Sequence, residues 1–352
     1  MSGYFEFKMR KLLSNIYNNA VKKRNINFDI GKSKIYRCSK PVISVGNLSI
    51  GGSGKTPFVI TLSNIIKDLG YKPAIVGRGY KRKSKGEIIV SDGNKILTDA
   101  KSGGDEMFLL AQKLNVPVIS NDLKYKGAMT AEKMFDIDCI VIDDGFQHRQ
   151  LHRTLDILLI DSDTLDKPYL LPYGRLREPL ESVKRADIIC LVGNIESKTS
   201  EIKKFIQNKF VCKIKVVPDN PYFLNENKSS KITVDRLSET QNKIISVCGI
   251  AKPKNFSGML KALKFNIIYK FEFEDHHNYK ESNIQRIIQA CKLNEINLIA
   301  TTEKDAVKFN EFGNIFAENN INILIFPISI KFDDGENEFK NILKNLLGKK
   351  DG

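Results

Sequence analysis

The sequence predicts an α/β fold of the P-loop NTPase type, a mostly parallel sheet with helices on both faces, plus a second smaller α/β domain. Short continuous apolar runs alternate with helical stretches up to about residue 200, a pattern typical of parallel strands buried on both faces. A polar, turn-rich stretch then begins at Asp219-Asn220-Pro221 and indicates a crossing between domains. After it, a second alternation of the same kind resumes.

The predicted strands divide into two groups along the chain. The first group is Pro41–Val45, Pro73–Gly77, Val116–Ser120, Cys139–Asp143, Asp156–Asp161 and Asp187–Val192. The second group is Lys243–Cys248, Phe265–Phe273, Asn297–Thr301 and Asn322–Pro327. We therefore expect an N-terminal helix over residues 1–30, a P-loop nucleotide-binding domain over 31–222, a linker over 223–243 and a C-terminal α/β domain over 244–352.

The composition is that of a soluble globular protein, with 41% hydrophobic and 28% charged residues. The net charge of +15 favours an anionic partner, namely nucleic acid, nucleotide phosphates or an acidic membrane face. A lysine-rich composition without functional meaning is the alternative. The six cysteines show no paired short spacing, which predicts reduced core residues in a cytoplasmic protein. No apolar run reaches the roughly 18 residues of a membrane-spanning helix.

The first 40 residues carry more than half of the net charge, with ten basic residues against two acidic ones. Between residues 4 and 24, apolar side chains recur at helical spacing and basic side chains surround them. A basic amphipathic helix of this kind fits an anchor lying in the plane of an anionic membrane surface. A helix packed on its own domain, with a solvated basic face, fits the same pattern.

The strongest motif is a glycine-rich loop that follows the first predicted strand. It matches the P-loop pattern except for serine at its first position, and it consists of Ser49, Ile50, Gly51, Gly52, Ser53, Gly54, Lys55 and Thr56. A helix is expected from Thr56 to about Leu69, so backbone N–H groups and a helix N-terminus favour bound phosphate. Lys55 is expected to reach the β and γ phosphates of ATP, and the Thr56 hydroxyl to hold Mg²⁺.

Two further acidic segments fit a nucleotide site. The strand Cys139–Asp143 ends in Asp143-Asp144-Gly145, which is a Walker B arrangement for holding Mg²⁺. Adjacent acids that only cap a loop are the alternative. Gly103-Gly104-Asp105-Glu106 opens a helix, where acids are favoured as N-terminal caps. A carboxylate held near the γ phosphate is the other interpretation of this segment.

Taken together, the motifs resemble the tetraacyldisaccharide 4'-kinase (lipid A 4'-kinase) family of Gram-negative bacteria. They occur in family order over most of the chain and are Val45-Gly46-Asn47-Leu48, the P-loop through Pro57, Gly77-Arg78-Gly79-Tyr80, Gly104-Asp105-Glu106, Asp143-Asp144-Gly145-Phe146-Gln147-His148, Leu176-Arg177-Glu178-Pro179 and Asp275-His276. One departure is Met107, where the family commonly has proline.

The resemblance implies an ATP- and Mg²⁺-dependent kinase that phosphorylates the 4'-hydroxyl of a tetraacylated glucosamine disaccharide 1-phosphate, giving lipid IVA for lipopolysaccharide. It implies a peripheral enzyme on the cytoplasmic face of the inner membrane, with an anionic membrane surface as a partner. By motif position, Asp105 takes the hydroxyl proton, His276 tunes or relays it, and Lys55 serves the phosphates. The implied pocket members are Arg78, Glu106, Gln147, His148, Arg177 and Glu178.

Two other functions share parts of these signals. A membrane-associated P-loop ATPase that switches partners would use the loop, the paired acids and the basic helix, but it leaves Asp105 and His276 without a chemical role. A nucleic-acid-dependent ATPase rests on net charge alone, since no nucleic-acid-binding module is recognisable. We therefore expect no nucleic-acid partner and no obligate protein partner.

Overall fold

Two sheets, each covered by helices, organise the part of the chain that the structure describes. The structure is a computed structural model that describes residues 2–166, 168–195, 198–224 and 242–348, with side chains in the first helix from residue 6 onward. Its strands are β1 (Val42–Asn47), β2 (Pro73–Gly77), β3 (Ile88–Asp92), β4 (Pro117–Ser120), β5 (Cys139–Asp143), β6 (Leu155–Ile160), β7 (Ile188–Val192), β8 (Phe210–Pro218), β9 (Tyr222–Phe223), β10 (Lys243–Cys248), β11 (Asn266–Glu272), β12 (Leu298–Thr302), β13 (Asn322–Phe326) and β14 (Ile328–Asp334).

The helices alternate with these strands along the chain. They are α1 (Ser2–Asp29), α2 (Lys55–Asp68), α3 (Ala100–Gly103), α4 (Asp105–Lys113), α5 (Lys124–Met134), α6 (Ser162–Asp166), α7 (Ser200–Ile206), α8 (Pro253–Ala262), α9 (Glu281–Leu293), α10 (Glu303–Phe309), α11 (Gly313–Glu318) and α12 (Glu336–Leu347), with 3₁₀ helices at Leu180–Arg185 and Asn310–Phe312.

The larger sheet has nine strands in the order β14-β8-β7-β6-β1-β5-β2-β4-β3. Neighbours from β8 to β4 run parallel, and the edge strands β14 and β3 are antiparallel to theirs. Every residue of β1, β5 and β6 is buried, which explains their continuous apolar sequence. Because β1 lies between β6 and β5, the carboxyl ends of these strands meet at one edge, where α/β proteins bind ligands.

The smaller sheet has five strands in the order β11-β10-β12-β13-β9, all parallel except β9. Helices α9, α10 and α11 contribute buried side chains to one of its cores, with Ile287, Phe309 and Phe316 among them. The predicted strands of both groups are present, with ends that differ by no more than one or two residues. The predicted fold class is therefore confirmed.

The end of the chain differs from the expected C-terminal domain of residues 244–352. Strand β14 pairs antiparallel with β8 of the larger sheet, and helix α12 buries Phe339 and Leu343 in the core of that sheet. An apolar helix face is satisfied by whichever core it reaches, so the sequence pattern does not reveal its partner. The expected linker, residues 223–243, lies mostly outside the described residues; Phe223 belongs to β9 and Lys243 to β10.

Helix α1 packs on the larger domain and also exposes several large apolar side chains among charged ones. The Ser14 hydroxyl donates to the Leu170 carbonyl at 2.8 Å, and the Tyr17 hydroxyl donates to the Arg177 carbonyl at 3.0 Å. The exposed large apolar side chains of this helix include Phe7, Met9, Leu12, Leu13 and Ile16. None of the described helices is both long and apolar enough to cross a bilayer.

Candidate active site

The glycine-rich loop follows β1 and runs directly into α2. Gly51 and Gly54 have φ angles of 110° and 81°, a region that L side chains rarely adopt. A Cβ on Gly51 would also clash with Nη2 of Arg175. Helix α2 begins at Lys55, and Thr56 lies in its first turn. The loop therefore presents backbone N–H groups and a helix N-terminus to one point, which suits an anionic ligand.

The start of the loop is fixed by polar contacts. Ser49 is buried, and its hydroxyl lies 3.2 Å from the Thr164 hydroxyl. The next residue, Ile50, is held through its backbone, with its N–H donating to the Arg175 carbonyl at 2.9 Å. Lys55 extends toward the end of β1, where Nζ donates to Asn47 Oδ1 at 3.0 Å. The loop is thus anchored on both sides of its glycines.

The paired acids, Asp143 and Asp144, lie beside Lys55. They do so because β5 pairs with β1, with Asp143 opposite Val45. Lys55 Nζ lies 3.4 Å from Asp144 Oδ1. Burial, together with the negative charges of Glu106 and Asp144, raises the pKa of Asp143 from 3.8 to about 7. Burial also disfavours ionisation of Asp144, but Lys55 and Arg177 outweigh it and hold the pKa of that carboxyl well below its usual range. The pKa values of the two adjacent acids are therefore shifted in opposite directions.

Arg177 and Gln147 close the same cluster. The Arg177 guanidinium binds Asp144 with both terminal nitrogens, each at 2.8 Å, and it also donates to the side chain of Asn47. Gln147 Nε2 donates to the Asn47 carbonyl at 2.9 Å. Asn47 belongs to the motif Val45-Gly46-Asn47-Leu48, but the sequence did not predict a role for it. It accepts from Lys55, Arg177 and Gln147, and so it joins β1 to the paired acids.

Lys124 is a further member of the cluster that the sequence did not reveal. It is buried at the start of α5, and its ammonium donates to the backbone carbonyl of Asp144. Burial lowers the pKa of Lys124, although Asp144 and Asp143 oppose the shift. No motif marks this position, because its role depends on α5 starting beside the end of β5.

A second cluster joins the two domains. Asp105 begins α4 in the larger domain, and His276 comes from the smaller domain with a positive φ of 60°. His276 Nδ1 lies 2.9 Å from Asp105 Oδ2, and its Nε2 lies 2.9 Å from Lys304 Nζ. Because an ammonium only donates, Nε2 accepts from Lys304 and Nδ1 carries the proton that it donates to Asp105. The Tyr80 ring packs edge-on against the imidazole, with centroids 4.8 Å apart.

Helix α10 supplies two lysines to this cluster, both missed by sequence reasoning. Lys308 Nζ lies 3.1 Å from Asp105 Oδ2, and Lys304 Nζ donates to Glu106 Oε1 at 3.0 Å. Burial disfavours the ionised form of Asp105, but the hydrogen bond from His276 and the charge of Lys308 outweigh it and hold the pKa of Asp105 below its usual range. Asp105 is therefore ionised, and its carboxylate accepts from His276 and contacts the ammonium of Lys308.

Glu106 connects the two clusters, since it accepts from Lys304 on one side and its charge raises the pKa of Asp143 on the other. The family departure Met107 is buried in α4 and leaves Asp105 at the helix start. Arg78 lies at the exposed margin, where Nε is 3.3 Å from Asp122 Oδ1. The structure therefore groups Asp105, Glu106 and the paired acids, with Arg78 at the edge.

Two predicted pocket residues have mainly structural contacts. His148 Nε2 accepts the Tyr125 backbone N–H at 3.3 Å, and burial with the nearby charge of Lys124 lowers the pKa of His148 to about 4. Glu178 is buried and paired with Arg185 at 2.9 Å, and it accepts from Asn25 of α1 at 2.8 Å. Glu178 therefore ties α1 to the chain segment that carries Arg177.

The residues present fit ATP and Mg²⁺. The buried Ser53 hydroxyl in the glycine-rich loop and Asp143 Oδ1 lack a hydrogen-bond partner among the described residues. An unpaired loop hydroxyl beside a helix N-terminus suits a phosphate oxygen. A buried carboxylate raised in pKa by neighbouring acids suits a cation, and Mg²⁺ takes oxygen ligands of this kind. The assignment of Thr56, Asp143 and Asp144 as the side chains that hold the metal stays a prediction from the sequence.

Comparison with known proteins agrees with this arrangement. The sequence profile of the family described as tetraacyldisaccharide-1-P 4'-kinase (LpxK) matches residues 9–348. A tetraacyldisaccharide 4'-kinase of Halothermothrix orenii is 35% identical over 342 residues, covering 91% of this chain and 87% of that protein. One of Aquifex aeolicus is 36% identical over 311 residues, covering 87% of this chain and 91% of that protein.

A solved structure resembles the whole chain as well. The crystal structure of LpxK from Aquifex aeolicus in complex with ATP superposes with a TM-score of 0.75 and 31% sequence identity, covering 95% of this chain and 97% of that one. The family profile and the relatives both extend over most of the sequence. The chain therefore belongs to the tetraacyldisaccharide-1-P 4'-kinase family and is an ATP-binding kinase.

Proposed function

We propose that this kinase transfers the γ phosphate of ATP to the 4'-hydroxyl of a tetraacylated glucosamine disaccharide 1-phosphate, giving lipid IVA for lipopolysaccharide. The observation that carries the proposal is the pairing of Asp105 with His276 across the domain boundary, next to a phosphate-binding loop. A partner-switching ATPase has no use for a carboxylate and imidazole arranged to receive an alcohol proton. Phosphoryl transfer to an alcohol needs such an acceptor beside the phosphates.

The glycine-rich loop binds the phosphates of ATP through its backbone N–H groups, from Ser49 to Thr56. Lys55 exchanges its contacts with Asn47 and Asp144 for the β and γ phosphates. Thr56, Asp143 and Asp144 would hold Mg²⁺, which would neutralise charge on the transferring phosphoryl group. Positioning and charge compensation are the main requirements of phosphoryl transfer, and these side chains meet them.

Asp105 receives the proton of the sugar hydroxyl as the oxygen attacks the γ phosphorus, and His276 orients and tunes the carboxylate through its Nδ1–H. The Nδ1 tautomer of His276 supports this role, since the imidazole donates to Asp105 while Lys304 occupies Nε2. A general base of this kind contributes roughly 10²–10⁴-fold. Because the two residues come from different domains, domain closure completes the base and excludes water.

Three side chains are proposed to contact the sugar and its phosphate. Arg78 stands at the exposed margin of the site with a guanidinium suited to phosphate. Arg177 and Gln147 converge on Asn47 from the side on which α1 packs. His148 and Glu178 support the site from behind, through the start of α5 and through α1.

The acyl chains remain in the bilayer while the sugar enters the site, so the enzyme acts at the cytoplasmic face of the inner membrane. The exposed apolar residues of α1, with basic residues around them, support attachment to an anionic lipid surface. The same helix contacts Arg177 and Glu178 through Tyr17 and Asn25. Membrane attachment and the sugar pocket are therefore built on one element.

The test is phosphorylation of the purified lipid A precursor with ATP and Mg²⁺, followed by mass spectrometry. We expect a gain of one phosphate at the 4' position and ATP consumption that depends on the lipid. A Lys55→Met variant serves as the control without phosphate transfer. Rapid ATP hydrolysis that is independent of the lipid, with no phosphorylated product, would favour the partner-switching ATPase instead.

A further inference from the structure

The loop from Gly249 to Lys252, which joins β10 to α8, contacts both halves of the site. At its first residue, the Gly249 carbonyl accepts the His276 backbone N–H at 3.2 Å. The Gly249 N–H donates to Asp305 Oδ2 at 3.0 Å, and Asp305 is fully buried. The start of this loop is therefore fixed against the backbone of His276.

Two residues further on, the same loop lies against the phosphate-binding loop. A Cβ placed on Gly51 would lie 3.9 Å from Ala251 Cβ, and one placed on Gly52 would lie 3.8 Å from it. These are ordinary van der Waals distances. The Ala251 methyl therefore lies beside Gly51 and Gly52, with room between them for no more than a β-carbon.

Lys252 joins this loop to the larger domain by charge. Its Nζ lies 2.7 Å from Asp161 Oδ2 and 3.0 Å from Asp163 Oδ2. Side-chain exposure is 20% for Lys252 and 8% for Asp161, so the pair is largely shielded from water. Asp161 directly follows β6, the strand beside β1. The ion pair therefore lies close to where β1 enters the phosphate-binding loop.

Arg175 completes a continuous path of polar contacts. Its Nη1 lies 3.2 Å from Asp163 Oδ2, the oxygen that Lys252 also contacts. Its Nη2 donates to the Ile50 carbonyl at 3.1 Å. The path therefore runs from the backbone of the phosphate-binding loop through Arg175, Asp163 and Lys252 to the loop that holds His276.

We propose that Lys252 is a positioning residue that keeps His276 in register with the phosphates bound at the glycine-rich loop. This inference rests on the proposed function, because it assigns Lys252 to the base of that reaction. Lys252 acts through the Gly249–Lys252 loop and does not touch the substrate. An ammonium bound by two carboxylates gives the end of this loop a defined place against the larger domain. Displacements of about 1 Å in a base can reduce turnover by about 100-fold.

The test compares Lys252→Met and Lys252→Arg with the wild-type enzyme, all as full chains, using the lipid A precursor, ATP and Mg²⁺. We expect Lys252→Met to lower kcat by about tenfold or more while the Kd for ATP changes by less than about twofold. Lys252→Arg should recover most of kcat, since a guanidinium also bridges two carboxylates. Lys254→Met, an exposed lysine two residues away, is the matched control and should behave as wild type.

A second comparison separates positioning from general stability. If Lys252 acts through His276, Lys252→Met should lower kcat much less in a His276→Ala enzyme than it does in the wild-type enzyme. A full additive loss would overturn the proposal, as would an unchanged kcat in Lys252→Met, or weaker ATP binding with unchanged kcat. If Lys252→Met does not fold, Asp163→Asn replaces it, with a smaller loss of kcat expected and an unchanged kcat contradicting the inference.

Failure of the inference and failure of the proposed function give different results. A wild-type enzyme that does not phosphorylate the lipid precursor overturns the proposed function. A wild-type enzyme that does so, together with an equally active Lys252→Met variant, overturns only the role of Lys252.

Discussion

His276 Nδ1 donates to Asp105 across a distance of 171 residues in the chain, at 2.9 Å in space. Neither residue completes the pair within its own domain. The proton on Nδ1 follows from Lys304, whose ammonium occupies Nε2 at 2.9 Å. The smaller domain therefore supplies both the imidazole and the cation that binds its Nε2.

Replacement of Asp105 by asparagine tests the proposed base. We expect Asp105→Asn to lower kcat by at least about tenfold, because an amide does not accept the hydroxyl proton. The Kd for ATP should stay close to that of wild type, since Asp105 lies outside the phosphate-binding loop. Steady-state kinetics and nucleotide titration measure the two effects. Asp68→Asn, at the exposed end of α2, is the control, and normal turnover by Asp105→Asn would remove Asp105 from the role of base.

Replacement of Lys304 by methionine tests the contact between Lys304 and His276 Nε2. Without the ammonium, Nε2 loses its donor while Nδ1 still donates to the Asp105 carboxylate, so we expect the ¹⁵N chemical shift of Nε2 to change and that of Nδ1 to stay close to wild type. We also expect kcat to fall by about tenfold.

The control for Lys304 is Lys101→Met, because Lys101 also forms a cross-domain ion pair, with Glu311, but an exposed one. Exposed pairs contribute little, typically about 0–1 kcal/mol, so this variant should retain the wild-type tautomer and rate. Identical ¹⁵N shifts in Lys304→Met and wild type would show that Lys304 does not donate to Nε2 of His276.

The raised pKa of Asp143 predicts that the free energy of unfolding falls as pH rises, in the absence of nucleotide and metal. Its pKa is raised from 3.8 to about 7 on folding, by burial and by the charges of Glu106 and Asp144. The folded state therefore holds a proton that the unfolded state releases, so the contribution of Asp143 to stability is lost as pH rises from about 4 to about 7.

Urea unfolding of wild type and Asp143→Asn between pH 5 and pH 8 measures this contribution. Because the amide does not titrate, the variant should gain stability relative to wild type as pH rises through this window. A constant difference between the two proteins over the window would contradict the raised pKa.

The exposed face of α1 predicts a defined effect on membrane binding. Leu12, Leu13 and Ile16 are 61%, 46% and 58% exposed, so replacing all three by asparagine should leave the fold intact. We expect partition into anionic vesicles to fall by about tenfold or more, and the apparent KM for lipid to rise, because apolar burial in the bilayer is lost.

These point changes test membrane binding alone. Deletion of residues 1–24 would also remove Ser14 and Tyr17 and so disturb the packing of α1 on the larger domain. Vesicle sedimentation and thermal unfolding make the measurement. Asn19→Gln, at an exposed position of the same helix, is the control. Unaltered partition of the triple variant would limit α1 to packing on its own domain.

The local features of this protein were predictable from its sequence. Parallel strands such as β1 and β5 are buried on both faces, so each is a continuous apolar run whatever its neighbours are. The phosphate-binding loop depends on backbone angles and on a following helix, and both are encoded in adjacent residues. The family motifs also identified Asp105 and His276, although only as members of a resemblance.

The tertiary structure decided which side chains meet. Lys124, Lys252, Lys304 and Lys308 are four among many lysines, and nothing in their local sequence separates them from solvated ones. Their partners depend on which elements come together, as when α10 packs beside α4. Helix α12 follows the same logic, since its apolar face fits any core and only packing directs it to the larger sheet. Backbone conformation and burial periodicity are local properties that the sequence expresses directly, whereas long-range charge pairing exists only once the chain has folded.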